Sequence, residues 1–177
     1  MKSIILAACT VIAVSSPALA QPSPYAAAAK PILGMVKDNI TKSAEQMKEE
    51  DYAFKPVDSV RSFGAILGHV ANANFMICSM ASGAENPMKG TDIEKTKTAK
   101  ADLQKALAES FAFCDAQFDA MTEAKAAEMT DFFRGKQPRL NILQFNIAHD
   151  MEHYGNLVTY MRMNKIVPPS SAPAAPK

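Results

Sequence analysis

Apolar residues return every three to four positions along four separate stretches, the period of an amphipathic α-helix. The first covers 25–50, with Ile32, Val36, Ile40 and Met47 on one side and Lys37, Lys48 and Glu49 elsewhere. Residues 52–61 contain Pro56 and read as a loop. The second covers 62–81. Ser62 suits its N-cap, Ile66, His69, Val70, Ala73, Met76, Ile77 and Met80 share a face, and Ser82-Gly83 ends it. Residues 83–97, with Gly83, Pro87 and Gly90, form a connection long enough to run the length of a bundle. The third covers 98–122, with Leu103, Leu107, Phe111, Cys114, Phe118 and Met121 on one seam. Residues 123–137 read as irregular, with no strand alternation. Pro138 suits the first turn of the fourth, 138–164, and Pro168-Pro169 mark its stop. The pattern predicts an all-α protein built as a four-helix bundle.

The fourth helix carries two apolar stripes. Ile142, Phe145, His149, His153, Asn156, Tyr160 and Met163 form one; Leu140, Leu143, Ile147, Met151, Tyr154, Val158 and Met161 form the other. A helix with two apolar faces is sandwiched. One stripe predicts the bundle contact, the other a neighbouring helix or a second copy of the chain, hence a homodimer through the fourth helix.

Both ends fall outside this pattern. Lys2, an apolar run over 4–14, Pro17 and Ala18-Leu19-Ala20 have the order of a cleaved export signal over 1–20. Leu6-Ala7-Ala8-Cys9 offers a lipidated cysteine as the alternative. Export predicts a periplasmic or secreted protein, with the bundle over 21–167. Residues 168–177, rich in Pro, Ala and Ser, predict a mobile tail. No later stretch reads as a transmembrane helix. The chain of 177 residues has room for one domain. Its 19 basic and 18 acidic residues, without a basic cluster, argue against nucleic acid as the main partner. The 11 Met are spread over several faces and read as core filler.

With only 3 His and 3 Cys, any catalytic or metal site draws on a small set. His149 and His153 are four apart on the fourth helix, so both imidazoles lie on one face, one turn apart. That spacing lets one helix chelate a metal ion. His69 sits on the core-facing stripe of the second helix, where each ring nitrogen needs a partner. Three His ligands suit zinc, nickel or iron(II); three structural core histidines are the alternative. Asp150 and Glu152 flank the pair at about 100° and about 60° around the helix, which suits a solvated charge or a partner behind a ligand better than a general base. Asn146 and Asn156 lie one to two turns from the pair and Asn72 follows His69 by three. Each could hydrogen-bond a ligand or a water, or serve packing.

Phe54-Lys55-Pro56, Val60-Arg61-Ser62-Phe63 and Leu67-Gly68-His69-Val70-Ala71 resemble the DinB-like superfamily. So do His149-Asp150-Met151-Glu152-His153-Tyr154-Gly155-Asn156-Leu157-Val158, Tyr160-Met161-Arg162 and Val167-Pro168-Pro169. Cys78-Ser79, Asn86-Pro87 and Phe113-Cys114-Asp115 resemble its exported branch. The resemblance implies an up-down-down-up bundle, with the 83–97 connection carrying the chain back so that helices two and three run parallel. It implies a divalent transition-metal triad of His69, His149 and His153. It also implies a metal-dependent hydrolase or transferase acting on an unspecified small molecule; better-known relatives are transferases and isomerases using mycothiol or bacillithiol. A non-catalytic metal-binding module and a stress-related bundle are the alternatives. Were helices two and three parallel, Cys78 and Cys114 would come to one level and could form a disulfide. Cys78 points opposite His69 while Cys114 lies on a core seam, so two buried free thiols are the alternative.

Overall fold

A computed structural model describes residues 21–173. The expected export signal at 1–20 lies outside the described residues. Ser62 starts the helix that carries the first histidine: its Oγ accepts from Ala65 N at 3.2 Å and opens α2, Phe63–Ser82. Gly83, at φ +75°, closes it by donating to Ser79 O, a left-handed cap that suits glycine. The other long helices are α1, Pro24–Gln46, α4, Lys100–Asp119, and α6, Arg139–Met163. Two short helices, α3 at Ile93–Thr96 and α5 at Glu123–Ala127, lie in the connections.

Paired side chains give the helix directions. Gly64 faces Leu103, Asn74 bonds Ser110 and Cys78 joins Cys114, so contacts climb α2 and α4 in the same direction. Lys37 pairs with Asp115 while Gln104 reaches Ala44, so α1 and α4 run in opposite directions. Asn74 meets Asn146 and Arg139 reaches Ala81 O, so α2 and α6 are antiparallel. The core lies between these helices: Leu33, Val36 and Ile40 from α1, Phe63, Leu67 and Ile77 from α2, Leu107, Phe111 and Phe118 from α4, and Ile142, Leu143 and Leu157 from α6. Ile32 and Met76, assigned above to apolar faces, are exposed. The inward arc of α1 is centred on Leu33 instead.

Among the described residues α2 is, by length and composition alone, long and apolar enough to cross a membrane. Most of that span is buried within the bundle. Its apolarity is accounted for by burial against α4, α6 and α3. Of the second stripe on α6, Leu143, Ile147 and Met161 are buried within the single chain and Met151 is exposed.

Cys78 and Cys114 form a disulfide, with Cα atoms 5.5 Å apart. Cys78 lies nine residues, a half-integral number of turns, past His69. It therefore faces α4 while His69 faces α6.

The stretch expected to be irregular holds a β-hairpin. Its strands, β1 at Met129–Phe132 and β2 at Gly135–Pro138, pair antiparallel from Met129 with Pro138 to Phe132 with Gly135. Neither strand has a buried residue, so no apolar alternation marks it in the sequence. Pro138 ends β2 and precedes α6 rather than lying in its first turn. The Pro-rich end departs from a mobile tail over its first residues. Pro168 is buried, Pro169–Ser171 form a 3-10 turn, and Ser170 and Ser171 bond Tyr154 and Arg162 of α6. Residues 174–177 lie outside the described residues.

Gly68 places one further element. A Cβ on it would stand 2.7 Å from Glu94 Cα and 3.1 Å from Glu94 N. Only a glycine lets the α3 backbone press so closely onto α2. Gly68→Ala is expected to destabilise the fold by about 1–3 kcal/mol through overpacking and to move Glu94 away from His69. Urea unfolding and metal titration check this; an unchanged midpoint would mean that α3 is free to shift.

Candidate metal centre

The i, i+4 spacing on α6 and the inward stripe of α2 bring all three histidines together. Nε2 of His149 lies 3.3 Å from Nε2 of His69 and 3.1 Å from Nε2 of His153. With metal–nitrogen bonds of about 2.0–2.1 Å, two ligand nitrogens stand about 3.0 Å apart in octahedral and about 3.4 Å apart in tetrahedral geometry. The observed separations fall in that interval. The side chains of His69 and His149 are 26% and 15% exposed, and His153 is 7% exposed, so the cluster is largely shielded by the bundle yet still open to solvent.

The outer ring nitrogens explain the orientation. His69 Nδ1 donates to Glu94 Oε2 at 3.2 Å, and Glu94 Oε1 accepts from Arg61 Nε at 2.8 Å. The proton held on Nδ1 leaves the His69 Nε2 lone pair facing the other two rings. Bare nitrogens turned toward each other are satisfied by a cation, and three neutral imidazoles suit a divalent transition metal. The amide of Asn156 lies 3.5 Å from His153 Nδ1. His149 Nδ1 is buried without a hydrogen-bond partner, and Asp150 Oδ1 stands 3.8 Å from it, within reach of a small rotation.

Asp150 is wholly buried, which excludes the solvated-charge reading. Asn146 Nδ2 donates to it at 3.2 Å. Asn74, its amide nitrogen turned toward the carboxylate, reaches Asp150 Oδ2 at 3.1 Å and accepts from Ser110 at 3.2 Å. A polar crossing thus links α2, α4 and α6 through the core beside the histidines. The remaining expected residues scatter. Asn72 bonds Asp92 and the backbone N of Ile93, fastening the 83–97 connection to α2. Glu152 is exposed. Glu94 and Asn74 escaped the sequence reading. Glu94 sits on a single-turn helix without periodicity, and its one signal is Gly68, whose missing side chain admits the Glu94 backbone.

An open cavity of about 660 Å³ adjoins the centre, lined by Arg61, Ile66, Glu94, His153, Asn156 and Tyr160. Tyr160 donates to Arg61 O at 2.7 Å, which fixes that wall.

Burial, the Arg61 charge and His149 hold His69 below the ordinary imidazole range, against the pull of Glu94. Burial, then His149, His69 and Arg61, lowers His153 to about 4. Burial raises Asp150 to about 6, against the pull of His149. The signs oppose. On acidification the unfolded chain protonates its histidines first, from 6.5 downward, so these two imidazoles cost stability as pH falls toward 4. Asp150 protonates first in the folded protein, so it returns stability as pH falls through 6 toward 3.8. Asp150→Asn removes the counterweight. The metal-free variant is expected to lose stability between pH 6.5 and 4 more steeply than the wild type, measured by urea unfolding in chelator; parallel profiles would rule out the raised carboxyl.

A helical bundle with a partly buried three-histidine cluster beside a cleft defines the class of protein. The comparisons with known proteins give the family: the DinB superfamily profile matches residues 33–157, and the chain belongs to that superfamily. It is 24% identical over 130 residues to the uncharacterized protein YjoA of Bacillus subtilis, spanning 70% of this chain and 81% of YjoA. The crystal structure of that DinB-like protein superposes with TM-score 0.62 at 21% identity, over 76% of this chain and 92% of that one. A DinB-like protein of Bacillus cereus gives TM-score 0.66 at 16% identity, over 79% and 95%. A conserved protein of Enterococcus faecalis gives 0.64 at 17%, over 77% and 95%. At these identities the structures show the fold.

Proposed function

We propose that the protein is an exported metal-dependent enzyme, a hydrolase or transferase, that works on a small molecule at His69, His149 and His153. The observation that carries this reading is the convergence of three imidazoles beside an open cavity, with His149 Nε2 at 3.3 Å from His69 Nε2 and 3.1 Å from His153 Nε2 and all three ligand atoms within 4.8 Å of one another. A divalent zinc, nickel or iron(II) ion there would supply Lewis acidity and an acidified water or thiol. The chain's own residues do the rest. Glu94 holds the proton on His69 Nδ1, and Arg61 holds Glu94. Tyr160 and Asn156 line the approach, and Asp150 stands behind His149. Three protein ligands leave positions open for water or substrate, as catalytic sites do.

Export is supported by the signal pattern at 1–20 and by the disulfide, which suits an oxidising compartment. That setting favours hydrolysis over transfer from a cytosolic thiol. The test is turnover of an ester, amide and thiol panel by zinc-, nickel- and iron-loaded protein. Turnover that chelation abolishes and metal restores is expected. Metal retained with no turnover across the panel would leave a metal-binding module.

A further inference from the structure

On the other side of the histidines the hairpin builds a second feature. Phe132, Phe133 and Phe145 line an open cavity of about 610 Å³ together with Ile142, Arg134 and Asn141. Their rings are continuous with the centre. Phe145 stacks toward His149 at 6.5 Å between centroids and 27° between planes. Phe132 meets Phe145 at 5.1 Å, and Phe133 meets Phe132 at 4.3 Å.

Two observations set this wall apart from ordinary packing. Phe133 takes φ +31° in the two-residue loop between β1 and β2, a conformation that favours glycine and is an outlier for a bulky side chain. It is also 62% exposed, so burial recovers little of that cost. The backbone here suits glycine better, the only aromatic contacts Phe133 makes among the described residues are with the other rings of this wall, and local rules broken in this way gather at functional sites. The second observation is charge. Arg134 is the single charged residue of the lining, and among the described residues it enters no ion pair. Asn141 bonds Gln137 within the wall. The volume lies in the range of small-molecule sites.

We infer that the hairpin is the selecting wall of the centre: the three phenylalanines take an aromatic ring and Arg134 takes the negative charge of a small aromatic anion. This rests on the reading of the histidines as the reacting centre, which lies one ring away. The ring stacks or meets the phenylalanines edge to face, and the guanidinium pairs with a carboxylate-like group.

The probe is 2-naphthoate, followed by calorimetry with the zinc-loaded protein, and 2-naphthamide is its uncharged counterpart. Phe133→Gly is expected to weaken naphthoate binding about tenfold, the scale of one aromatic contact. Its thermal midpoint should not fall, because glycine suits the turn; a purely structural Phe133 would show the reverse. Arg134→Gln should bring naphthoate down to the affinity of naphthamide and leave naphthamide unchanged. Naphthoate binding that Phe133→Gly and Phe145→Ala both leave unchanged would overturn the inference. So would a dimer that Phe133→Gly dissociates and naphthoate does not, since the wall would then be an interface between two copies. Metal content separates the two readings. Zinc-bearing protein that ignores naphthoate refutes the aromatic wall alone, whereas naphthoate binding by protein that takes up no metal supports the wall and refutes the metal centre.

Discussion

Zinc at one hundred times its dissociation constant is expected to stabilise the protein by about 2.7 kcal/mol and to leave a His149→Ala, His153→Ala variant unmoved. The reasoning is mass action. The three Nε2 atoms meet only in the folded chain, because His69 is 80 residues from His149 and reaches it through the packing of α2 on α6. An ion that binds the folded cluster and not the unfolded chain stabilises in proportion to the logarithm of its concentration. Removing both α6 ligands leaves His69 alone, with no chelate. The variant should also fold, since alanine suits a helix interior and the two rings contribute little to the core beyond the site. Denaturant titrations with and without zinc measure the difference. An equal gain in both proteins would place the ion elsewhere.

Removal of the disulfide is expected to cost about 4 kcal/mol, from the entropy of a closed loop of the 36-residue span between Cys78 and Cys114. That is a large part of the ordinary stability of a small domain, about 5–15 kcal/mol. The bond ties α2 to α4 where the two run in the same direction, so no short turn connects them there. Both cysteines are wholly buried, so mild reductant alone should act slowly and only through unfolding. The comparison is therefore between the wild type and Cys78→Ala, Cys114→Ala under oxidising conditions. Thiol alkylation of the unfolded wild type should find neither cysteine free. A loss below about 1 kcal/mol would mean that the bond does not constrain the unfolded chain.

Helix positions were legible because their signals are local. Ser62, Gly83 and the apolar period of α4 act within a few residues, and the helices begin and end there. The meeting of the histidines was legible from one spacing and one stripe. What escaped depends on packing. Asp150 is about 100° from His149 around an isolated helix, which leaves a solvated charge and a partner behind a ligand both open; α2 and α4 close over that face and bury it with Asn74 and Ser110. Glu94 meets His69 across 25 residues because Gly68 admits α3, a contact that no periodicity encodes. The hairpin was invisible because it has no buried face and carries Phe133 where a glycine would announce a turn. The disulfide stayed open because it depends on the direction of α4 relative to α2, which no short-range pattern sets.

The measurement that tests the central claim most directly is elemental analysis of the protein purified without a polyhistidine tag, beside the His149→Ala, His153→Ala variant. About one equivalent of a transition metal per wild-type chain, absent from the variant, is the result expected. No metal in either protein, even after loading with zinc, nickel and iron(II), would contradict the account and return the three histidines to a structural role.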